Sequence, residues 1–185
     1  MTAQELIKRH EITLHTEWDS KEGYFMPTGK IYFRNARTQA EKDAIGEKKA
    51  EILAILMPVW EAGKREYDER KAKINAIEGL QEIKAAQADL DAWQAKFERS
   101  FYGPNACGGL GVGPRPKYDI DAMKAAYPRA AAYLMANDWS FSDHDVKASA
   151  GKKALEKIIN GDDYSAAIDE MRREWDAYTE LHAFD

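Results

Sequence analysis

Cysteine is nearly absent from this chain of 185 residues, and its scarcity excludes one class of protein. Cys107 stands alone, so no internal disulfide can form, and the small secreted scaffolds that depend on disulfides are excluded. The apolar core of a signal peptide is also missing, because Lys8, Arg9 and Glu11 interrupt the first apolar residues. We therefore expect an intracellular, cytoplasmic protein.

Long apolar runs and short catalytic motifs are missing as well. The longest apolar run, 52–60, contains Pro58 and is far shorter than the ~20 residues that a membrane span requires. The chain has no HExxH, CxxC or nucleophile-elbow pattern. We expect no membrane partner, no cofactor, no metal and no catalytic residue, so that the protein is not an enzyme.

Glycine and proline are concentrated in one segment, 102–117, which predicts a linker loop without regular structure. Its glycines do not make a phosphate loop, because Pro114 occupies both the last glycine position of a dinucleotide fingerprint and the lysine position of a Walker loop. Cys107 lies in this loop, where we expect an exposed thiol rather than a nucleophile.

Segment 1–36 has the pattern of a short helix followed by a β-hairpin. Thr2 and Glu5 have the spacing of a capping box and predict a helix to about His10. Apolar and polar residues then alternate over 12–19, with Trp18 on the apolar side, and a second extended stretch covers 29–34. These two stretches predict a small N-terminal β-hairpin.

Segment 37–101 predicts a long helical hairpin. Thr38 and Glu41 form a second capping box, and Pro58 predicts a kink. Because one helix over this whole segment would be roughly 90 Å long, we expect it to fold back between Ala72 and Gly79 into an antiparallel, coiled-coil-like pair. A dimer through a long coil is the alternative. The stripe that predicts this seam consists of Ile74, Ile77, Leu80, Ile83, Ala86, Leu90, Trp93, Phe97 and Phe101.

Segment 118–185 predicts a C-terminal helical bundle. Helix starts are indicated by Asp119, by Pro128, by Ser142 together with Asp145, and by Asp163, while Gly161 ends the third helix. The final helix carries an apolar stripe of Tyr164, Ile168, Met171, Trp175, Tyr178 and Leu181. Together the four segments predict a mainly α protein of the α+β class.

Charge is distributed unevenly, and it supplies the candidate partner-binding residues. The net charge is −5, and residues 161–185 hold eight acidic side chains against two basic ones. An acidic helix can complement a basic protein surface. Basic residues on the long helix and before Gly161 are candidates for phosphate or protein contact. The candidates are Glu170, Glu174, Asp176, Lys64, Arg65, Arg70, Lys71, Lys152 and Lys153.

Two further groups have alternative interpretations. Asp143, His144 and Asp145 resemble a loose metal cluster, but acidic residues at a helix start also stabilise it without a metal. Trp93, Phe97 and the nearby Phe101 could stack nucleic-acid bases, although their helical spacing favours a buried seam. We expect helix capping for the first group and packing for the second.

The stretch from Lys147 to Gly161, continued through Met171 and Trp175, resembles small accessory proteins encoded by bacteriophages and other mobile elements. The resemblance implies an anti-CRISPR protein or another anti-defence inhibitor that acts in the bacterial host by stoichiometric binding to a larger protein. It assigns no functional residue.

The expected function is therefore non-enzymatic inhibition of a nucleic-acid-acting defence nuclease, alone or in complex with its nucleic acid. One alternative is a nucleic-acid-binding accessory protein of a mobile element. Another is a metal-dependent nuclease that uses Asp143 and His144.

Overall fold

Capping boxes determine where the first two helices begin, in a computed structural model that describes residues 1–103 and 112–183. Helix α1, Ala3–His10, begins after Thr2, whose hydroxyl accepts from the Glu5 backbone N–H at 3.2 Å while the Glu5 carboxylate accepts from the Thr2 N–H at 2.7 Å. Helix α2, Gln39–Glu47, begins in the same way after Thr38. Both predicted helix starts are confirmed.

The second box also determines the charge state of Glu41. The Thr38 backbone N–H, the Thr38 hydroxyl and the Arg37 backbone N–H all donate to the same Glu41 carboxylate oxygen at 3.0 Å. These hydrogen bonds, chiefly the one from the Thr38 backbone, favour the ionised form and lower the pKa of Glu41 from 4.5 to about 2.

The predicted N-terminal hairpin is present, as strands β1, Thr13–Asp19, and β2, Tyr24–Tyr32. The two strands pair antiparallel, and 20–23 form the turn. Strand β2 begins five residues earlier than predicted, because pairing continues past Pro27, which lies opposite Thr16. The register shifts once: residues 28–30 lie opposite His15 alone, and this bulge has a positive φ of 73° at Gly29.

One prediction for this hairpin is wrong. The alternation in 12–19 places Trp18 on the buried side, but Trp18 is 58% exposed and packs edge-on against the exposed Phe25 ring at 5.2 Å. Ile12 is buried, Leu14 and Thr16 are half-buried and Trp18 is exposed, so burial along this face of β1 decreases toward the turn. Beyond the shift, the strand carries its aromatic residue into solvent.

The predicted long helical region consists of three helices. Helix α2 is followed by α3 (Lys49–Asn75) and by α4 (Leu80–Tyr102). Helix α3 continues through Pro58. The break at 76–79 lies within the predicted range and ends at Gly79, whose φ is +75°. A Cβ at this position would lie 2.0–2.5 Å from the Tyr127 ring, so the turn requires glycine for both its backbone conformation and its space.

The antiparallel packing predicted for the two long helices requires correction. Ile77, Leu80, Ile83 and Ala86 are buried together with residues of the C-terminal helices, so their apolar stripe is part of that core, and Ile74 at the end of α3 packs against the same core. An amphipathic stripe predicts that a face is buried, but it does not say against which element.

The predicted C-terminal bundle is present and consists of four helices: α5 (Ile120–Ala126), α6 (Pro128–Ser140), α7 (Asp145–Asn160) and α8 (Tyr164–Leu181). Asp119 and Asp163 cap α5 and α8 through their carboxylates, Pro128 occupies the first turn of α6, and Gly161 ends α7 with a φ of 93°. These four predicted boundaries are confirmed. The mainly α, α+β fold class is likewise confirmed, with 69% of the described residues helical.

Two details of the bundle differ from the predictions. Ser142 does not cap α7: His144 occupies the cap position without a side-chain hydrogen bond, while the Ser142 hydroxyl accepts from the His144 backbone N–H at 3.2 Å. Leu181, predicted on the buried stripe of α8, is 79% exposed because the stripe has passed the end of the core. Ile168 and Met171 of the same stripe are buried.

The chain forms two compact units, 1–69 and 70–185. In the first, Leu6, Ile12, Ile45 and Ile52 form the centre of a small core. In the second, α6, α7 and α8 pack together with the start of α4. The boundary between the units lies within α3, whereas the four segments expected from sequence have boundaries elsewhere, and that finer division stays a prediction.

None of the helices within 1–103 and 112–183 combines the length and apolar composition that a bilayer span requires.

Candidate interaction surface on helix α4

Helix α4 changes its environment along its length. Its buried residues are Leu80, Ile83 and Ala86, all in its first two turns. Every later residue of this helix is half-buried or exposed, although the apolar spacing continues through Leu90. About two thirds of α4 therefore carry an apolar face that the core of the second unit does not cover.

Three aromatic side chains continue along this uncovered face and a fourth, Tyr102, lies beside the last of them. We call the four the aromatic ladder: Trp93, Phe97, Phe101 and Tyr102. The Trp93 and Phe97 rings stack with centroids 5.4 Å apart, and Phe97 stacks on Phe101 at 5.1 Å. Tyr102 tilts against Phe101 at 5.4 Å. Phe101 is 44% and Tyr102 is 78% exposed, so the ladder becomes more accessible toward the end of the helix.

Residues 112–119, which have no helix or strand, run alongside α4 and complete a groove. The Trp93 indole N–H donates to the Gly113 carbonyl at 3.2 Å, and the Tyr118 hydroxyl donates to the Asp89 carboxylate at 2.8 Å. That hydrogen bond raises the pKa of Tyr118, because it favours the protonated phenol. These two contacts fix one wall of the groove.

The groove has a volume of about 370 Å³, which is large enough for side chains of a partner protein. Its apolar lining comes from Leu90 and from aromatic-ladder residues, and its rim carries one acid, Glu98, and one base, Arg115. Residues 87–102 contain three acids and two bases, so this part of α4 has no excess of positive charge.

The ladder geometry argues against base stacking. A nucleic-acid base stacks on a free aromatic face, and both faces of Phe97 are covered by the neighbouring rings of Trp93 and Phe101. A channel for single strands also carries a positive groove, which is missing here. The expectation that these aromatics form a buried seam is not met either, because the rings remain half-buried or exposed.

The acidic candidates on α8 are partly engaged within the chain. Glu174 pairs with Lys153 of α7 at 3.0 Å, so two of the predicted partner-binding residues bind each other. Glu170 pairs with Lys157, and this hydrogen bond lowers the pKa of Glu170. Asp176 is exposed. These α7–α8 ion pairs reduce the acidic surface that α8 offers to a partner.

The basic candidates are similarly divided. Lys64 lies 2.6 Å from Asp68 and 3.4 Å from Glu22, and its hydrogen bond to Asp68 is the main cause that raises its pKa. Arg70 pairs with Glu156 of α7. Four candidates are exposed: Arg65, Lys71, Lys152 and Lys153. In the second unit, Arg70 and Lys153 are therefore both paired with acidic residues, Arg70 with one of α7 and Lys153 with one of α8.

The Asp143, His144 and Asp145 group does not converge on a point. The His144 ring packs edge-on against Trp175 at 4.9 Å and against Tyr178 at 4.7 Å, while both aspartates are exposed. Within the residues that the structure describes, no three His, Cys, Asp or Glu side chains are placed to hold a metal ion. Cys107 and the centre of the glycine-rich loop, 104–111, lie outside those residues.

Sequence reasoning missed some surface residues altogether. Tyr102 and Arg115 line the groove, but they stand in the segment assigned to a linker. Trp18 and Phe25 form an exposed aromatic pair that the alternating pattern placed otherwise. The run of Phe101 and Tyr102 at the end of an apolar stripe was the available signal, because two adjacent aromatics on a helix cannot both face one core.

Comparisons with protein-family models, with curated proteins and with solved structures gave no match for this chain.

Proposed function

We propose that this protein is a non-enzymatic docking protein whose aromatic ladder binds a helix of a larger protein target. The observation that carries the proposal is the ladder itself: stacked, partly exposed aromatic rings that continue an apolar stripe beyond the end of the core. Large aromatic side chains dominate the binding energy of protein interfaces and are enriched in their centres.

The spacing of the stripe favours a helical partner. Leu90, Trp93 and Phe97 follow one another at steps of three and four residues, which is the spacing of a coiled-coil seam. A partner helix with aliphatic side chains at the same spacing can pack them against the ladder and into the groove beside it. The mixed charges around the groove, including Glu98 and Arg115, suit a polar rim.

The more specific version of this proposal is an anti-defence inhibitor. On this view the protein acts in the cytoplasm of a bacterial host, and its target is a nuclease such as a CRISPR effector, which it blocks by stoichiometric occupation. This version rests on the sequence resemblance and on the exposed acidic residues of α8, such as Asp176, which suit a basic nucleic-acid channel.

Substitution of the ladder tests the proposal. The wild-type chain captures its target from a bacterial host that expresses defence systems, and the purified target is then titrated with variants in a binding assay. Phe97→Ala should weaken binding about tenfold or more, because it removes the centre of the ladder. Leu181→Ala is the matched control, since Leu181 is an exposed apolar residue near the end of another helix.

The two variants also separate docking from folding. Both should keep the circular dichroism spectrum and melting temperature of the wild-type chain, because neither side chain is in a core cluster. Equal binding by Phe97→Ala and wild type would disprove docking through the ladder. Inhibition of a CRISPR nuclease at one inhibitor per enzyme supports the specific version, and sub-stoichiometric inhibition with turnover contradicts it.

A further inference from the structure

The two edges of the N-terminal hairpin differ in how they are covered. Beside β2, the Trp60 indole N–H donates to the Phe25 carbonyl at 2.9 Å, and the Tyr67 hydroxyl donates to the Gly23 carbonyl at 2.8 Å. The Tyr24 ring also packs against the Tyr67 ring at 4.7 Å. Helix α3 therefore covers the β2 side of the hairpin.

The β1 side has no such cover in the described residues. Among the described residues the sheet has two strands, and β2 is the strand that pairs with β1. Open edges of this kind accept another strand unless proline, lysine or a bulge protects them. Strand β1 has the sequence Thr-Leu-His-Thr-Glu-Trp-Asp, which contains neither proline nor lysine. The extra residues of the bulge belong to β2, so β1 itself carries no bulge. The open edge is thus free to pair.

The sequence of β1 is complementary to itself in the antiparallel direction. We propose that two copies of this chain associate by pairing β1 with β1 about a two-fold axis at Thr16, which makes a four-stranded sheet. In this register Leu14 lies opposite the partner's Trp18, His15 opposite the partner's Glu17, and Thr16 opposite the partner's Thr16. Aliphatic–aromatic, imidazole–carboxylate and threonine–threonine pairs are each favourable across antiparallel strands.

Neighbouring registers are less favourable, which selects this one. A two-fold axis at Glu17 would place two carboxylates opposite each other, and like charges in that position are destabilising. An axis at His15 would leave Trp18 and Asp19 without a partner residue on the opposite strand. The axis at Thr16 pairs all seven residues of β1. Side chains of opposite residues lie on the same face of a sheet, so the partner's Leu14 also covers Trp18, which is now 58% exposed.

Sedimentation equilibrium of the full chain over a wide concentration range tests the proposal. The weight-average mass should rise from 21.0 kDa toward twice that value as the concentration increases. Thr16→Lys should abolish the rise, because two lysines would meet at the axis. Tyr32→Lys is the matched control: Tyr32 is an exposed β2 residue outside the proposed contact, so its substitution should leave the association unchanged.

A charge exchange keeps the proposal falsifiable if Thr16→Lys disturbs the hairpin. Glu17→Lys alone should weaken association, and Glu17→Lys combined with His15→Glu should restore it, because each glutamate then meets the partner's lysine. Phe97→Ala should have no effect, which distinguishes this contact from docking on the aromatic ladder. A constant mass at all concentrations, association that survives Thr16→Lys in a folded chain, or failure of the double variant to restore association would overturn the proposal.

Discussion

His10 gives the sharpest prediction about stability, because its imidazole ring lies in the apolar core of the first unit. The side chain is 1% exposed, and neither Nδ1 nor Nε2 has a hydrogen-bond partner in the described residues. The buried apolar residues of the same core are Ala3, Leu6, Ile12, Ile45 and Ile52. A polar ring in such a place carries a desolvation cost that no protein hydrogen bond offsets.

Replacing this ring with an aliphatic side chain should stabilise the first unit. A buried polar group without a partner costs about 1–3 kcal/mol, and an imperfect fit of the new side chain costs less than about 1.5 kcal/mol. We therefore expect His10→Leu to raise the free energy of unfolding of the first unit by about 1–2 kcal/mol. The backbone hydrogen bond from Arg34 N–H to the His10 carbonyl, at 3.1 Å, does not depend on the side chain.

Native-state hydrogen exchange of the full chain measures this gain unit by unit. Amides of α1 should exchange about tenfold more slowly in His10→Leu, since 1.4 kcal/mol corresponds to a factor of ten, while amides of α7 in the second unit serve as an internal reference. His15→Leu is the control, because the His15 ring lies 3.0 Å from the Thr28 hydroxyl and its loss should bring no gain. Faster exchange of α1 amides in His10→Leu would refute the reasoning, and would mean that the ring nitrogens are satisfied.

Three further predictions concern acid stability, helix contact and the extent of the core. Glu41 has a pKa of about 2 in the folded chain and 4.5 ordinarily, so its ionised form contributes stability above pH 4.5 that is lost as the pH falls toward 2. In chemical denaturation, the free energy of unfolding of Glu41→Gln should therefore depend less on pH between 4.5 and 2 than that of the wild type. An unchanged pH dependence would contradict this prediction. A Cβ at Gly151 would lie 2.5 Å from the backbone of α6, so Gly151→Ala should cost about 1–3 kcal/mol in a thermal melt, whereas Gly46→Ala, with nothing within 4 Å, should cost nothing. Ile83→Ala should lower the free energy of unfolding in denaturant by about 2–5 kcal/mol, because Ile83 is 1% exposed. Leu90→Ala should lower it clearly less, because Leu90 is half-buried, and equal losses for the two variants would place both residues in the core.

Helix boundaries could be predicted from the sequence because they depend on a few adjacent residues. Thr2 and Thr38 need only a glutamate three residues later, Asp163 needs only the next backbone N–H groups, and Gly161 needs only its own freedom to adopt a positive φ. Ser142 was the exception, because its hydroxyl satisfies the N–H of His144 before the helix begins. Local chemistry is thus enough for most of the helical architecture.

The partner of an apolar face could not be predicted in the same way. The stripe of α4 correctly indicated a buried face at Ile83, but most residues of the core that buries it belong to α6, α7 and α8. The same spacing continues to Phe101, where no core remains. Periodicity reports which residues share a face of a helix, and only the tertiary arrangement decides how much of that face is covered.

The charged candidates show a similar limit for the functional surface. Lys153 and Glu174 were both proposed as partner-binding residues, yet they pair with each other across α7 and α8. Sequence proximity could not reveal this ion pair, because the two residues belong to different helices. Exposed ion pairs of this kind add little stability, but they reduce the charge that both residues offer to a partner.

The most direct test of docking through the aromatic ladder is hydroxyl-radical footprinting of the full chain, alone and bound to its captured target. In the free chain, Phe101 and Tyr102 should be modified readily, since they are 44% and 78% exposed. On binding, their modification should fall sharply while that of exposed Phe141 stays constant. Unchanged modification of the ladder in a saturated complex would contradict the account.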